Sequence, residues 1–241
     1  MLGDYGRRIE EASLLLSISD FTRRCAVEFL PSAQRAKVCW LATEENNLPD
    51  ASSDFGGPPT VLILSRIDAT EMYKGHFELI DCWPSVMAAI PDARLLIAGG
   101  GDGLGILRAR AGASAAASNI EFTGFLPQNE IDALWPRAHV FTMPSRREGF
   151  GLVYIEAMRR GLPVIASTQD AGQEINLDGV TGYNVDLERE GELARRTIEL
   201  LSNKALARQF GENGREHWRA NFCFSAFRRR MEPILTEFLG A

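Results

Sequence analysis

Residues 144–161 read Pro-Ser-Arg-Arg-Glu-Gly-Phe-Gly-Leu-Val-Tyr-Ile-Glu-Ala-Met-Arg-Arg-Gly. An apolar run of strand length precedes this stretch at 138–143, and a second one follows it at 162–167. The pattern predicts a strand, a loop, a helix and a further strand. Gly161 is placed to end the helix, and the two arginines before it lie at the negative end of the helix dipole.

The start of this helix is predicted to bind an anion. The amides of Gly151, Leu152 and Val153 have no partner within the first turn, and they point outward with the positive end of the helix dipole. A phosphate group fits such a site. Phe150 lies between Gly149 and Gly151 in the turn before the helix, where these glycines let the backbone approach a ligand closely.

Two carboxylates lie eight positions apart across this turn. Glu148 precedes the helix, whereas Glu156 lies about one turn inside it and faces sideways from the phosphate position. Because a carboxylate accepts two hydrogen bonds at once, each suits a vicinal diol. We expect Glu156 to bind a ribose and Glu148 to bind the hydroxyls of a sugar. Either glutamate alone is better explained as a helix-stabilising or solvated residue, but the run as a unit is not.

The same stretch resembles the Glu-x7-Glu signature of glycosyltransferase family 4, the retaining, nucleotide-sugar-dependent enzymes of the two-domain GT-B fold. Further segments between residues 60 and 240 follow the family's order, namely 61–66, 73–75, 95–102, 120–126 and 178–183. The resemblance implies the C-terminal, donor-binding domain of such an enzyme. Its fold would be α/β, a Rossmann-like doubly wound parallel sheet followed by C-terminal helices. Residues 169–174 depart from the family's Gly-Gly-x-Pro-Glu, because Ala171 and Gln173 replace a glycine and the proline.

The resemblance also assigns roles to individual residues. Arg66 and Lys74 look like the family's pair of cations that grips the donor diphosphate, so Arg66, Lys74 and Glu148 would be catalytic. Arg66 follows an apolar strand and Lys74 opens the next helix, so both would converge at the carboxyl end of the sheet. Cations placed there stabilise the charge that develops on the leaving diphosphate. Phe125 and Leu126 would contact the nucleobase, although a core position for Phe125 is an equal alternative.

No cofactor or metal ion is expected beyond the nucleoside-diphosphate sugar itself. The sequence contains no Asp-x-Asp motif and no His or Cys cluster with the spacing of metal ligands. The run Gly99–Gly105 fits Gly-x-Gly-x-x-Gly in no register, which disfavours a dinucleotide site and predicts a tight strand-to-helix turn beside the donor pocket. His139 lies in an apolar strand and is interpreted as structural.

Three divisions of the 241-residue chain are predicted. Residues 1–57 resemble the remnant of an N-terminal domain, with a linker at 46–57. Residues 58–205 resemble the nucleotide-sugar-binding domain. Residues 206–241 resemble the C-terminal helices that, in relatives, cross back to the N-terminal domain. Most of an acceptor-binding domain is therefore expected to be missing. A partner chain that supplies it would complete the molecule. The alternative is self-association through the predicted strand at 14–19 and the apolar stripe of the last helix at 224–238.

Composition and charge indicate which partners and which cellular location to expect. The net charge of −6 and the pI near 5.2 argue against nucleic acid as the main partner. The four cysteines have no paired spacing and are interpreted as reduced thiols. No apolar run reaches the roughly 18 residues of a membrane span, and the N-terminus does not resemble a signal peptide. A cytoplasmic location is expected, and peripheral contact with the inner membrane face stays open.

Three functions remain as hypotheses. The first is a retaining, metal-independent, hexosyltransferase-like glycosyltransferase whose acceptor is unknown: a saccharide, a lipid-linked glycan or a small molecule. The second is a nucleotide-sugar-binding module without activity of its own. The third is a Rossmann-type oxidoreductase. The first two predict binding of a nucleoside diphosphate without metal, and the third predicts binding of NAD.

Overall fold

The computed structural model describes residues 3–45 and 56–240. Most of the predicted linker, at 46–55, lies outside the described residues. The N-terminal segment contains helix α1 (Gly3–Glu11), strand β1 (Leu16–Ser17), helix α2 (Asp20–Phe29) and strand β2 (Lys37–Val38). The two short strands pair in parallel, with Leu16 opposite Lys37. The apolar runs at 14–19 and 38–41 predict two strands here; both are present but shorter, and the second begins one residue earlier.

A parallel sheet of six strands forms the centre of the molecule, in the spatial order β5-β4-β3-β6-β7-β8. Its apolar runs are continuous because helices cover both faces of such a sheet, so side chains pointing either way are buried. The predicted α/β, doubly wound fold is confirmed. The strands are β3 (Thr60–Leu64), β4 (Arg94–Ala98), β5 (Ile120–Gly124), β6 (Val140–Thr142), β7 (Val164–Ser167) and β8 (Gly182–Val185).

Helices connect these strands and then close the chain. They are α3 (His76–Ala89), α4 (Leu104–Gly112), α5 (Gln128–Leu134), α6 (Leu152–Arg159), α7 (Gly172–Ile175), α8 (Glu192–Ser202), α9 (Lys204–Asn221) and α10 (Phe224–Leu239). No helix within the described ranges is both long enough and apolar enough to cross a bilayer.

Helix α3 corrects one expectation. The Trp83-Pro84 pair predicts a bend or a restart, yet the helix runs from His76 to Ala89 with Pro84 inside it. Proline removes one backbone donor and crowds the preceding turn. Trp83 and Val86, on either side of it, are fully buried against the core. Burial of these two side chains offsets the cost of the proline and keeps the segment helical.

The order of the strands determines where a ligand can bind. Strand β3 lies between β4 and β6, so the connections from β3 run in one direction along the sheet and those from β6 in the other. The loops that follow β3 and β6 therefore separate and leave a crevice at the carboxyl ends of the strands. Arg66 and Glu148 lie on these two loops, after β3 and β6 respectively.

The C-terminal helices contact the N-terminal segment. The indole of Trp218 donates to Thr43 Oγ1 at 2.8 Å, and the amide of Thr43 donates to the carbonyl of Phe222 at 3.0 Å. Arg230 on α10 donates to the carbonyl of Trp40 at 3.0 Å. These contacts fix residues 40–43 against the end of the chain. The apolar stripe predicted on α10 is partly exposed, at Phe224, Leu235 and Phe238.

Candidate functional site

Two neighbouring cavities lie at the carboxyl edge of the sheet. The larger has a volume of about 710 Å³, and the smaller about 310 Å³. Leu64, Ser65, Leu152 and Val153 line both of them. The start of helix α6, where a helix carries unpaired amides and a positive dipole end, is therefore part of the wall that the two cavities share.

Most of the predicted site residues line these cavities. Arg66, Phe125, Leu126 and Glu156 lie around the larger one, together with Gly99, Gly100 and Gly101. Lys74, Glu148, Phe150 and Gly151 lie around the smaller one, together with Ile18 and Leu41 of the N-terminal segment. The fold thus brings residues from six separate segments to one edge of the sheet. Ile18 and Leu41 carry no sequence signal that would have marked them.

The glycines of the turns are needed for contacts within the protein. Gly99 has a φ of +133°, and a β carbon there would lie 1.8 Å from the carbonyl oxygen of Ser65. The predicted turn after β4 can therefore pack directly against the loop after β3. Gly151 has a φ of +85°, and its β carbon would lie 2.3 Å from the Tyr154 ring. Glycine at position 151 thus accommodates Tyr154, whereas the sequence pattern suggests close approach of a ligand.

The two aromatic residues predicted to bind the donor have opposite environments. Phe125 is 83% exposed at the mouth of the larger cavity, so the alternative of a core position for it is wrong. Phe150 is only 2% exposed and packs edge-on against Phe222, with 6.1 Å between the ring centroids. Phe150 therefore joins the wall of the smaller cavity to the C-terminal part of the chain.

Arg66 and Lys74 approach a common carboxylate. Arg66 Nη2 lies 2.5 Å and Lys74 Nζ 4.0 Å from the same oxygen of Glu71. The hydrogen bond that Arg66 donates to Glu71 raises the pKa of Arg66. The Arg66 side chain is 63% exposed, whereas that of Lys74 is only 15% exposed. Both cations can thus reach one anionic group, and an anionic ligand would compete with Glu71 for them.

Glu156 lies on α6 between the larger cavity and a third, polar one, which is also lined by Glu44, Asp132, Arg159 and Arg160. Burial raises the pKa of Glu156, and the nearby charge of Arg160 opposes this shift. Arg160 is held in place by Asp132 at 2.9 Å and by the Trp135 ring at 4.6 Å. The sequence places Arg160 at the helix end only as a dipole partner and gives no sign of this cluster.

The backbone of Glu148 is held by residues that follow β7. Asp170 is fully buried; its Oδ2 accepts from the Glu148 amide at 2.9 Å, and its Oδ1 accepts from the Gly172 amide at 2.8 Å. The Ala171 amide donates to the Glu148 carbonyl at 3.1 Å. Sequence reasoning missed Asp170. The only signal is its position in the loop 169–174, where the sequence departs from the family pattern.

Asp170 is expected to make the stability of the fold depend on pH. Burial raises its pKa to about 6, against the opposing effect of the two amides, whereas an unfolded chain has about 3.9. Between pH 4 and pH 6, Asp170 therefore carries a proton in the native state and has lost it in the unfolded state. The stability that this group contributes is therefore fully present below about pH 4 and is lost as the pH rises through 6.

Urea denaturation of the unchanged protein and of Asp170→Asn, at pH 4 and at pH 7, measures this effect. The free energy of unfolding of the unchanged protein should fall relative to that of Asp170→Asn by up to about 3 kcal/mol between the two pH values. Parallel pH profiles for the two proteins would contradict the raised pKa.

Two histidines have structural partners. His139 Nδ1 accepts from the Thr60 amide at 3.1 Å in the buried start of the sheet, which confirms its structural role. His76 Nε2 lies 3.1 Å from Ser65 Oγ, on the wall shared by both cavities. Burial lowers the pKa of His76 to about 4, so its ring is neutral near pH 7. Among the described residues, no three His, Cys, Asp or Glu side chains form a group that could hold a metal ion.

Comparison with known proteins identifies the family. The model of the family "Glycosyl transferases group 1" matches residues 45–217. A GDP-mannose-dependent alpha-(1-6)-phosphatidylinositol monomannoside mannosyltransferase of Mycolicibacterium smegmatis is 33% identical over 229 residues, which cover 88% of this chain and 59% of that protein. The phosphatidyl-myo-inositol mannosyltransferase of Mycobacterium leprae is 34% identical over 205 residues, which cover 83% of this chain and 53% of that protein.

A solved structure has a fold similar to that of this chain. Sucrose-phosphate synthase from Thermosynechococcus elongatus superposes with a TM-score of 0.78 at 26% identity, over 98% of this chain and 61% of that one. The chain thus spans a little over half the length of each of these three proteins. Because the family model covers most of its residues, including the whole stretch that lines both cavities from β3 to α6, the chain belongs to the glycosyl transferases group 1 family.

Proposed function

We propose that this chain is the donor-binding half of a retaining, metal-independent glycosyltransferase that uses a nucleoside-diphosphate sugar. One observation carries the proposal: two cavities meet at the start of helix α6, with Glu156 on one side and Glu148 on the other. A nucleoside diphosphate sugar has the same order of parts, with a diphosphate between a ribose and a sugar. The Rossmann-type oxidoreductase hypothesis is overturned by the family to which the chain belongs.

The parts of the donor can be placed by chemistry. The nucleoside fits the larger cavity, where Phe125 and Leu126 offer an apolar surface and Glu156 can accept from the ribose hydroxyls. The diphosphate fits the shared wall, beside the first amides of α6 and the cations Arg66 and Lys74. The sugar then reaches the smaller cavity, where Glu148 can accept from its hydroxyls.

The same groups account for catalysis without a metal ion. When the bond between the sugar and the diphosphate breaks, negative charge grows on the leaving group. Lys74, Arg66 and the helix amides already lie beside that position, so they stabilise the transition state more than the ground state. The retaining course of the reaction rests on the family resemblance.

GDP-mannose is the first donor to test, because the name of the M. smegmatis relative specifies it. The exposed strand residue Leu16 and the exposed stripe on α10 support contact with an acceptor-binding partner chain or with a second copy. A nucleotide-sugar-binding module without activity is the second candidate, since both cavities proposed for the donor lie within this chain.

Replacement of Glu156 by alanine tests the donor site. In calorimetry with EDTA present, GDP or UDP should bind the unchanged protein, and Glu156→Ala should weaken the binding by about 1.5 to 3 kcal/mol, the range for hydrogen bonds to a charged group. Glu212→Ala, on the exposed surface of α9, is the matched control. Equal affinities for the unchanged protein and Glu156→Ala would remove Glu156 from the ribose site.

A transfer assay separates the two candidates. GDP-mannose and a phosphatidylinositol acceptor, the class that the names of the relatives specify, are incubated with the chain alone, and with the chain plus an N-terminal acceptor domain of a relative supplied as a second polypeptide. Mannosylated acceptor and released GDP are measured. The glycosyltransferase proposal expects transfer in the second case. Donor binding without transfer in either case would favour the binding module.

A further inference from the structure

The loop that carries Glu148 is held from a second side by the N-terminal segment. Ser19 Oγ and Thr22 Oγ1 both donate to the carbonyl oxygen of Gly149, at 2.6 and 2.9 Å. Ser19 is fully buried. The two hydroxyls lie about 130 residues before Gly149 in the sequence, so this contact exists only in the folded chain.

A second contact fixes the start of helix α2 against helix α7, which follows the loop of Asp170. The carboxylate of Glu174 accepts from the amides of Asp20 and Phe21, at 2.9 and 2.5 Å. The next amide, of Thr22, donates to Ser19 Oγ at 2.9 Å. Glu174 thus places a negative charge at the positive end of the helix and satisfies two of its unpaired donors. Helix α2 cannot shift without breaking its bonds to both Glu174 and Gly149.

These contacts surround Glu148. Its amide is bound by Asp170, its carbonyl by the Ala171 amide, and the next carbonyl, of Gly149, by Ser19 and Thr22. A side chain whose backbone is fixed on both sides loses little further freedom when it binds a ligand, which favours affinity. Ile18, next to Ser19, lines the smaller cavity together with Glu148. The N-terminal segment therefore reaches the place proposed for the sugar.

We infer that Ser19, Thr22 and Glu174 are positioning residues that hold Glu148 in the orientation that binds the donor sugar. The inference rests on the proposed function, because it assigns these residues to the sugar end of the same site. It gives the N-terminal segment a part in donor recognition. Since Glu148 touches the sugar and not the nucleotide, these three residues should affect binding of a nucleotide sugar and leave binding of the nucleotide alone unchanged.

The test compares GDP and GDP-mannose by calorimetry on the full chain. Ser19→Ala/Thr22→Val should bind GDP-mannose about 10-fold more weakly, because a small displacement of a contacting group has large effects, and should bind GDP within about twofold of the unchanged protein. Ser202→Ala/Thr236→Val, which removes the same groups from exposed positions, is the matched control and should change neither affinity. Glu174→Gln should repeat the pattern if the double variant does not fold.

A double-mutant cycle separates positioning from a general loss of structure. Glu148→Ala should by itself weaken the binding of GDP-mannose and leave the binding of GDP unchanged. Added to Glu148→Ala, the Ser19→Ala/Thr22→Val change should have no further effect, because the two act through one side chain. A full additional loss, or an equal loss for GDP and GDP-mannose, would overturn the inference. Failure of the unchanged protein to bind GDP or UDP would instead overturn the proposed function.

Discussion

Alanine in place of Lys74 is expected to weaken binding of GDP by about 2–4 kcal/mol, or about 30- to 1000-fold. The Lys74 side chain is only 15% exposed and lines the smaller cavity beside the shared wall. A cation in such a position is little screened by solvent. Its loss leaves only Arg66, whose side chain is 63% exposed, to offset the repulsion between the diphosphate and Glu71. Calorimetry at constant ionic strength measures the change.

Lys37→Ala is the matched control for this prediction. Lys37 is 38% exposed and pairs with Glu237 near the end of the chain. Its replacement should leave the affinity for GDP unchanged. If Lys74→Ala binds GDP as the unchanged protein does, the diphosphate does not lie beside Lys74, and the placement of the donor across the two cavities fails.

Replacement of Phe150 by alanine is expected to lower the free energy of unfolding by about 3–5 kcal/mol, the usual cost of removing a buried phenylalanine. Phe150 is 2% exposed and its ring contacts that of Phe222. Its loss leaves a cavity between the Glu148 loop and the C-terminal part of the chain. Urea denaturation measures the effect.

Phe125→Ala provides the opposite result with the same chemical change. Because Phe125 is 83% exposed, its removal should alter stability by less than about 0.5 kcal/mol. The replacement should instead weaken the binding of GDP, since Phe125 lies at the mouth of the larger cavity. Similar losses of stability for the two variants would mean that their burial differs less than the structure indicates.

The local pattern predicted much of the fold. Apolar runs of strand length alternate with helical segments, and this alternation is enough to predict a parallel sheet covered on both faces. The break expected at Trp83-Pro84 is absent, because burial of Trp83 and Val86 outweighs the local preference of proline. The short strand at Leu16–Ser17 was also predicted too long, since it pairs only with β2 and not with the main sheet.

The sequence was less informative about the surroundings of the site. The types and spacing of four residues were enough to predict them as site residues, namely Arg66, Lys74, Glu148 and Glu156. Nothing in the local pattern distinguishes Phe125 from Phe150, since exposure depends on what the rest of the chain places against each ring. In the same way, Asp170 is an ordinary loop carboxylate in the sequence. Its pKa is raised only because burial in the folded chain outweighs the opposing effect of two backbone amides.

The sequence by itself determined the elements, their order and the residues at the carboxyl ends of the strands, because helix and strand periodicity, turn glycines and motif spacing are local properties. Only the tertiary structure decided that Ser19 and Thr22 bind the carbonyl of Gly149 and that Glu174 binds the start of α2. These bonds join residues 127 to 154 positions apart. They form because partial burial limits the access of each donor and acceptor to water, so each is satisfied by a partner from a distant segment.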